Sequence, residues 1–269
     1  MRIILFVAVG MAALTTAVGA QERCDTHAEH WTYEKDKGTG PSCWGQIESP
    51  NNKLCAEGRT QSPVNFKTGE LTSLVSSKRQ VWRYPFVPLT IWNNGHAIVL
   101  KIPDEGPKAW NWEVNGVRYA LKQMHFHAPG EHEINGKAAP LEMHMVHESI
   151  APGPKRLAVR ATLFKVDRTN STLSTIFRGK LPEKNKTNAY PELRFNPQHL
   201  FITSWTYFEY SGSLTTPDCG QPVHWHVDEN PATVHQGQID ALRRAVGFEN
   251  NRPPQTLKDH RLRRIELRY

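Results

Sequence analysis

Two short histidine runs constrain this chain more tightly than any other feature: QMHFH (Gln123 to His127) and LEMHMVH (Leu141 to His147). Residues two apart point to nearly opposite sides of a helix but to the same side of an extended strand. The spacing of His125 and His127, and that of Glu142 and His144, therefore reads as two β-strands with chemistry on one face. Three imidazoles leaving neighbouring strands on that face converge. A borderline-soft divalent cation is the usual occupant of such a point. Three histidines on zinc leave the fourth tetrahedral position open, which is the mark of a catalytic site rather than a structural one. His125, His127 and His144 are thus candidate ligands, and Zn2+ the candidate cofactor.

The rest of the chain reads in the same β idiom. Short β-prone runs recur at Thr90 to Trp92, Ala97 to Ile102, Arg118 to His127, Leu141 to His147, Leu157 to Val166, His199 to Tyr210 and Val223 to Val227, separated by turn pairs such as Asn94-Gly95 and Asn135-Gly136. Only His235 to Val246 repeats apolar residues at helical spacing, through Ile239, Leu242 and Val246. Cys24 to Ser62, rich in turn formers and aromatic residues, reads as an irregular arm packed on a core. Arg261 to Tyr269 alternates arginine with Leu262, Ile265 and Leu267 and reads as a terminal edge strand with a charged face. The expected class is mostly β (α+β), with a large central sheet and a few peripheral helices. No linker or repeat divides the chain, so one domain is expected over 21–269.

Residues 1–20 read as a secretory signal peptide: Arg2, an apolar run from Ile3 to Leu14, then small residues ending at Ala20. The run is too short to span a bilayer, and no second apolar segment follows, so the expected product is secreted, periplasmic or extracellular, without a membrane anchor. Four cysteines in such a chain read as two disulfides, with three possible connectivities. None of Cys24, Cys43, Cys55 and Cys219 has zinc-knuckle spacing. If Cys55 pairs with Cys219, the bridge closes a long loop worth about 4 to 5 kcal/mol in the chain-entropy picture. The formal net charge of +7 comes from scattered basic residues set against 26 acidic ones, which does not point to nucleic acid.

Around the histidine runs stand strings that a generic β protein has no reason to carry. They are HWTYE (His30 to Glu34), QSPVNF (Gln61 to Phe66), NNGHA (Asn93 to Ala97), LAV (Leu157 to Val159), YSGSLTTP (Tyr210 to Pro217), VHW (Val223 to Trp225) and NNRPPQ (Asn250 to Gln255). With QMHFH and LEMHMVHES they occur in one order along most of the chain, and in this the sequence resembles the α-class carbonic anhydrases. The resemblance implies a twisted, mainly antiparallel sheet of about ten strands. It also implies zinc on His125, His127 and His144, and reversible hydration of carbon dioxide to bicarbonate and a proton by zinc-hydroxide attack.

The resemblance also distributes roles. Gln123 is expected to hold His125, Glu142 to hold His144, and a backbone carbonyl near Asn250 to hold His127. Strand alternation alone puts Gln123 and Glu142 on the ligand face. Thr215 matches the residue that accepts the nucleophile's hydrogen bond while donating to Glu131, and an ionised Glu131 leaves it no other direction. His96 matches the proton shuttle, with Tyr33 and Asn94 along the water path. Val146, Val159, Leu214, Thr216 and Trp225 match the substrate pocket. Two residues depart from the family pattern: Asp218 stands where proline is frequent, and Arg160 follows Val159 where an apolar residue is usual, so a buried Arg160 needs a partner. A catalytically silent relative, serving in binding, storage or a mineral matrix, is the alternative function. Asn170 and Asn185 open two glycosylation sequons, and the sequence does not specify an oligomeric state.

Overall fold

A computed structural model of the protein describes residues 23–48, 52–76, 81–103, 111–178, 180–202 and 204–268. The proposed signal peptide lies outside them. Ten strands form one continuous path: β1 (Thr72–Ser76), β2 (Val87–Asn93), β3 (Ile98–Lys101), β4 (Val117–His127), β5 (Leu141–Ser149), β6 (Leu157–Val166), β7 (Thr187–Phe195), β8 (Thr206–Gly212), β9 (Val223–Asp228) and β10 (Arg263–Leu267). Their order across the sheet is β7-β2-β3-β4-β5-β6-β9-β8-β10-β1. The β6·β9 and β10·β1 pairs are parallel and the other neighbours antiparallel, a mixed sheet.

The long central strands are buried on both faces, and alternation gives each face its own character. One face of β4, β5 and β6 sends Met124, Phe126, Met143, Met145 and Phe164 into the main core. Two helices cover it there: α1 (Ser171–Arg178) through Leu173 and Ile176, and α2 (Gln236–Val246) through Ile239 and Leu242. Asn170 caps α1, its Oδ1 accepting from the N–H groups of Thr172 and Leu173 at 3.1 and 3.0 Å. The other face of the same strands carries the histidines and a second apolar cluster that includes Val159, Ala161, Tyr210 and Trp225.

Two expectations need correction. Arg263–Leu267 is not the edge: it pairs with β8 on one side and with β1 on the other, because Ile265 and Leu267 need cover. The uncharged Thr72–Ser76 forms that edge instead. The stretch starting at His199 is not yet a strand, since Asn196 and Pro197 open a 3-10 turn over Pro197–Leu200 and β8 begins only at Thr206. Two disulfides, Cys24–Cys43 and Cys55–Cys219, select one of the three connectivities. The irregular arm over Cys24 to Ser62 holds only two 3-10 turns and the single helical turn Leu54–Glu57 among its described residues.

Candidate metal centre

β4 and β5 run antiparallel in a register that sets His144 opposite His125 and Glu142 opposite His127. The three rings lie 4.6 to 5.0 Å apart, centroid to centroid. Each has one nitrogen engaged outward. His125 Nδ1 lies 2.9 Å from Gln123 Oε1, His127 Nδ1 lies 2.6 Å from the Asn250 carbonyl, and His144 Nε2 lies 2.6 Å from Glu142 Oε1. These partners are acceptors, so the held nitrogens carry the protons. The inward nitrogens, His125 Nε2, His127 Nε2 and His144 Nδ1, are left as lone pairs.

Inward lone pairs cannot satisfy one another. His144 Nδ1 and His125 Nε2 face each other at 3.3 Å, and His127 Nε2 is buried with no partner among the described residues. Zinc bound tetrahedrally at about 2.0 to 2.1 Å sets its ligand nitrogens about 3.3 Å apart, so the donor set fits that ion. Burial, then the neighbouring imidazoles, holds His125 well below its ordinary pKa; burial lowers His127 and His144 as well. The donors are therefore neutral and ready to coordinate.

Glu142 is the hub of the outer layer. Its Oε1 also takes His132 Nδ1 at 2.7 Å, and its Oε2 accepts the N–H groups of Glu131 and His132 at 2.7 and 2.8 Å. Burial opposes its ionisation, yet His132 and His144 beside it, and their hydrogen bonds, hold its pKa well below the usual carboxylate range. His132 Nε2 continues to Tyr210 Oη at 2.7 Å, and Tyr210 donates to Ser62 Oγ at 2.9 Å.

Glu131 is buried close to the triad, its Oε1 3.4 Å from His127 Nδ1 and its Oε2 3.9 Å from His144 Nδ1. The N–H of Arg252 reaches Oε1 at 2.8 Å. Burial pushes the Glu131 pKa up to about 7, and His144, the Arg252 N–H and the Thr215 hydroxyl draw it down. Thr215 is itself buried, and Thr216 behind it is half-buried. Val159 and Trp225 are buried in the apolar cluster on this face, with Val146 and Leu214 packed against it. The Trp225 ring stands 4.9 Å from that of His144.

His96, Asn94 and Tyr33 gather at the arm. The His96 ring stacks on Trp31 with centroids 3.9 Å apart and lies 6.4 Å from Tyr33. Asn94 Oδ1 caps its own turn, accepting from His96 N and Ala97 N at 2.9 and 2.7 Å. Asn250 serves twice, its carbonyl on His127 and its Nδ2 on the His96 carbonyl at 3.0 Å.

Residues 39–266 match the family described as eukaryotic-type carbonic anhydrase. The chain belongs to the carbonic anhydrases. It is 36% identical to a carbonic anhydrase of Neisseria gonorrhoeae over 230 residues, 85% of each chain. Dioscorin DB3L of Dioscorea polystachya is 32% identical over 235 residues, covering 86% of this chain and 84% of that one. Among solved structures, the α-carbonic anhydrase of Thermovibrio ammonificans, in complex with the inhibitor sulfanilamide, superposes with a TM-score of 0.79 at 33% identity, over 88% of this chain and 99% of that one.

Sequence reasoning assigned no part to His132, Tyr210, Ser62 or Arg252 in this carbonic anhydrase. Arg252 is buried and donates to Gln61 Oε1, the Ser62 carbonyl and the Cys55 carbonyl at 2.9, 2.7 and 2.8 Å, which anchors the segment that presents Asn250. Ser62, Tyr210 and Arg252 stand inside the strings that carry the resemblance, and His132 lies between the two histidine runs. Their signal was visible and their partners were not.

Proposed function

We propose that this protein is an exported, zinc-dependent carbonic anhydrase that interconverts carbon dioxide and bicarbonate. The observation that carries the reading is the set of three inward lone pairs within 4.8 Å of one another, two of them 3.3 Å apart, next to an apolar wall. When bound, zinc supplies a Lewis acid and, as is known of carbonic anhydrases, brings the pKa of its water down to about 7. His125, His127 and His144 would hold the ion, with Gln123, the Asn250 carbonyl and Glu142 fixing their tautomers.

Thr215 and Glu131 act on direction. With Glu131 Oε1 committed to the Arg252 N–H, Oε2 is the oxygen left to accept the Thr215 hydroxyl proton. Thr215 then has only a lone pair to offer the nucleophile, whose own lone pair is turned toward substrate. Val146, Val159, Leu214 and Trp225 suit a small substrate without strong donors. Proton removal is His96's part, because return to bulk water near pH 7 is limited to about 10^3 s⁻¹ and a faster cycle needs a nearby buffer group. Two disulfides accord with an oxidising compartment.

The triad supports this reading over a silent binding or storage relative, whose role would not require three convergent neutral imidazoles. Metal analysis with stopped-flow carbon dioxide hydration tests it. We expect about one zinc per chain and hydration far above the buffer rate, both lost on chelation and restored by zinc. Zinc-saturated protein with no acceleration leaves only the silent reading.

A further inference from the structure

The two outer strands of the sheet are built differently. β7 is guarded against another strand: Pro191 removes a donor, Glu192 and Arg194 set charges on the strand, and its pairing with β2 shifts register. β1 has none of these devices. It carries no charge and no proline, it pairs in unbroken register with β10 alone, and Leu74 and Val75 are 40% and 61% exposed.

One bond tells which main-chain groups of β1 face outward. The N–H of Arg268 donates to the Ser76 carbonyl at 3.0 Å, so Ser76 turns its peptide groups toward β10. Backbone direction alternates along a strand, so Leu74 and Thr72 turn the same way, and the N–H and C=O of Ser73 and Val75 point out from the sheet edge. Those groups have no partner among the described residues. The side chains form a row as well. Tyr207 on β8, Ile265 on β10 and Leu74 on β1 stand opposite one another in register and therefore share a face. Tyr207 and Ile265 are buried in a small cluster with Leu267, apart from the main core, and Leu74 is the open end of their row.

We propose that β1 docks a second copy of this chain, edge to edge and antiparallel, about a two-fold axis beside Leu74. The strand is self-complementary in that arrangement. Ser73 of one copy exchanges both main-chain hydrogen bonds with Val75 of the other, and Leu74 meets Leu74 at the non-bonded position between them. No charge on the strand opposes its like. The row of Tyr207, Ile265 and Leu74 then continues into the same row of the second copy, which supplies the cover that Leu74 lacks. This is why a second copy fits better than an unrelated strand, which matches the hydrogen bonds alone. A contact of this length buries less than the roughly 1,000 Å² of a stable interface, so the dimer forms reversibly. β4 and β5 lie mid-sheet, and the contact leaves the three histidines clear.

Sedimentation velocity on the zinc-loaded protein tests this from about 1 to 300 µM, where a reversible monomer–dimer shift is expected. Ser73→Pro removes an outward N–H and leaves the β10 pairing untouched, and Leu74→Lys sets two ammonium groups against each other across the axis. Each should raise the dissociation constant about ten-fold or more, with near-ultraviolet circular dichroism unchanged. Every cysteine of the chain is in a disulfide, so Leu74→Cys introduces a lone thiol within reach of its copy. Under mild oxidation it should give a covalent dimer, whereas Val166→Cys, at a comparably exposed position on β6, should not. A parent that stays monomeric throughout, a dimer that survives either folded variant, or Leu74→Cys crosslinking no faster than Val166→Cys overturns the proposal. If Ser73→Pro fails to fold, Leu74→Lys and the two thiol variants still decide.

Discussion

Glu142 accepts four hydrogen bonds and has no capacity left for a donor of its own. Glu142→Gln keeps the shape but turns an amide NH2 toward two N–H groups or two imidazoles, so one side of the hub becomes donor against donor. We expect zinc affinity to drop about 10- to 100-fold, read by competition with a chelator on protein that keeps its near-ultraviolet circular dichroism. The placement of Gln123 and Glu142 was legible in the sequence because each lies two residues from its histidine, and alternation is a local rule. Asn250 and Arg252 were harder: they meet His127 and Glu131 across 123 and 121 residues, and no periodicity encodes a contact of that range. Asn250 was reached through the family resemblance alone. Asn170 opens a sequon and is also a helix cap: its Oδ1 is bonded to α1, while its Nδ2, the atom a glycan would use, donates to the Thr233 carbonyl at 3.3 Å.

At the level of elements, β6 and β9 answer the question that Arg160 poses. Its guanidinium lies buried on the face opposite Val159, paired with Asp228 at 3.1 and 2.7 Å and held between the rings of Trp82 and Phe201 at 4.3 and 3.6 Å. Thr162 donates to the same carboxylate at 2.7 Å. Asp228→Ala should destabilise by about 3 to 5 kcal/mol, because it strands a buried cation, whereas Arg160→Met with Asp228→Leu should cost markedly less; urea denaturation of the three proteins checks this. The sequence showed that Arg160 needs a partner but could not point to Asp228, which the parallel β6·β9 pairing brings alongside. Strand identity was legible where burial on at least one face imposes a pattern, as in β4, β5 and β6. It failed for β7, where Pro191 and a shift of register interrupt the run. It failed for β1 too, whose residues are mostly exposed and carry no alternation. Both are outer strands of the sheet, where proline and loose patterning are tolerated.

Across the whole molecule, the face opposite the candidate site makes stability depend on acid. Burial holds His147 down to about 3, where it bonds the Tyr84 hydroxyl at 2.7 Å, and holds His226 down to about 4 despite Asp228. An unfolded histidine titrates near 6.5, so below that pH the unfolded chain gains protons that the folded one refuses, and stability is lost as pH falls toward 4. Each such histidine contributes a slope of about 1.4 kcal/mol per pH unit in that window. His226→Phe should flatten the dependence by about that amount between pH 6 and 4.5, measured as urea stability against pH for parent and variant. The mostly β single domain was legible from composition and turn spacing. The two-faced interior was not, because a buried strand reads as apolar on both sides until its neighbours are known. That interior gives each central strand two incompatible addresses. A one-residue slip of β6 would press the Arg160 charge into the apolar wall beside the three histidines and leave Asp228 facing an aliphatic side chain. The same slip thus fails on both faces at once, so the pairing that aligns the three histidines is also the one that satisfies the buried Arg160 charge.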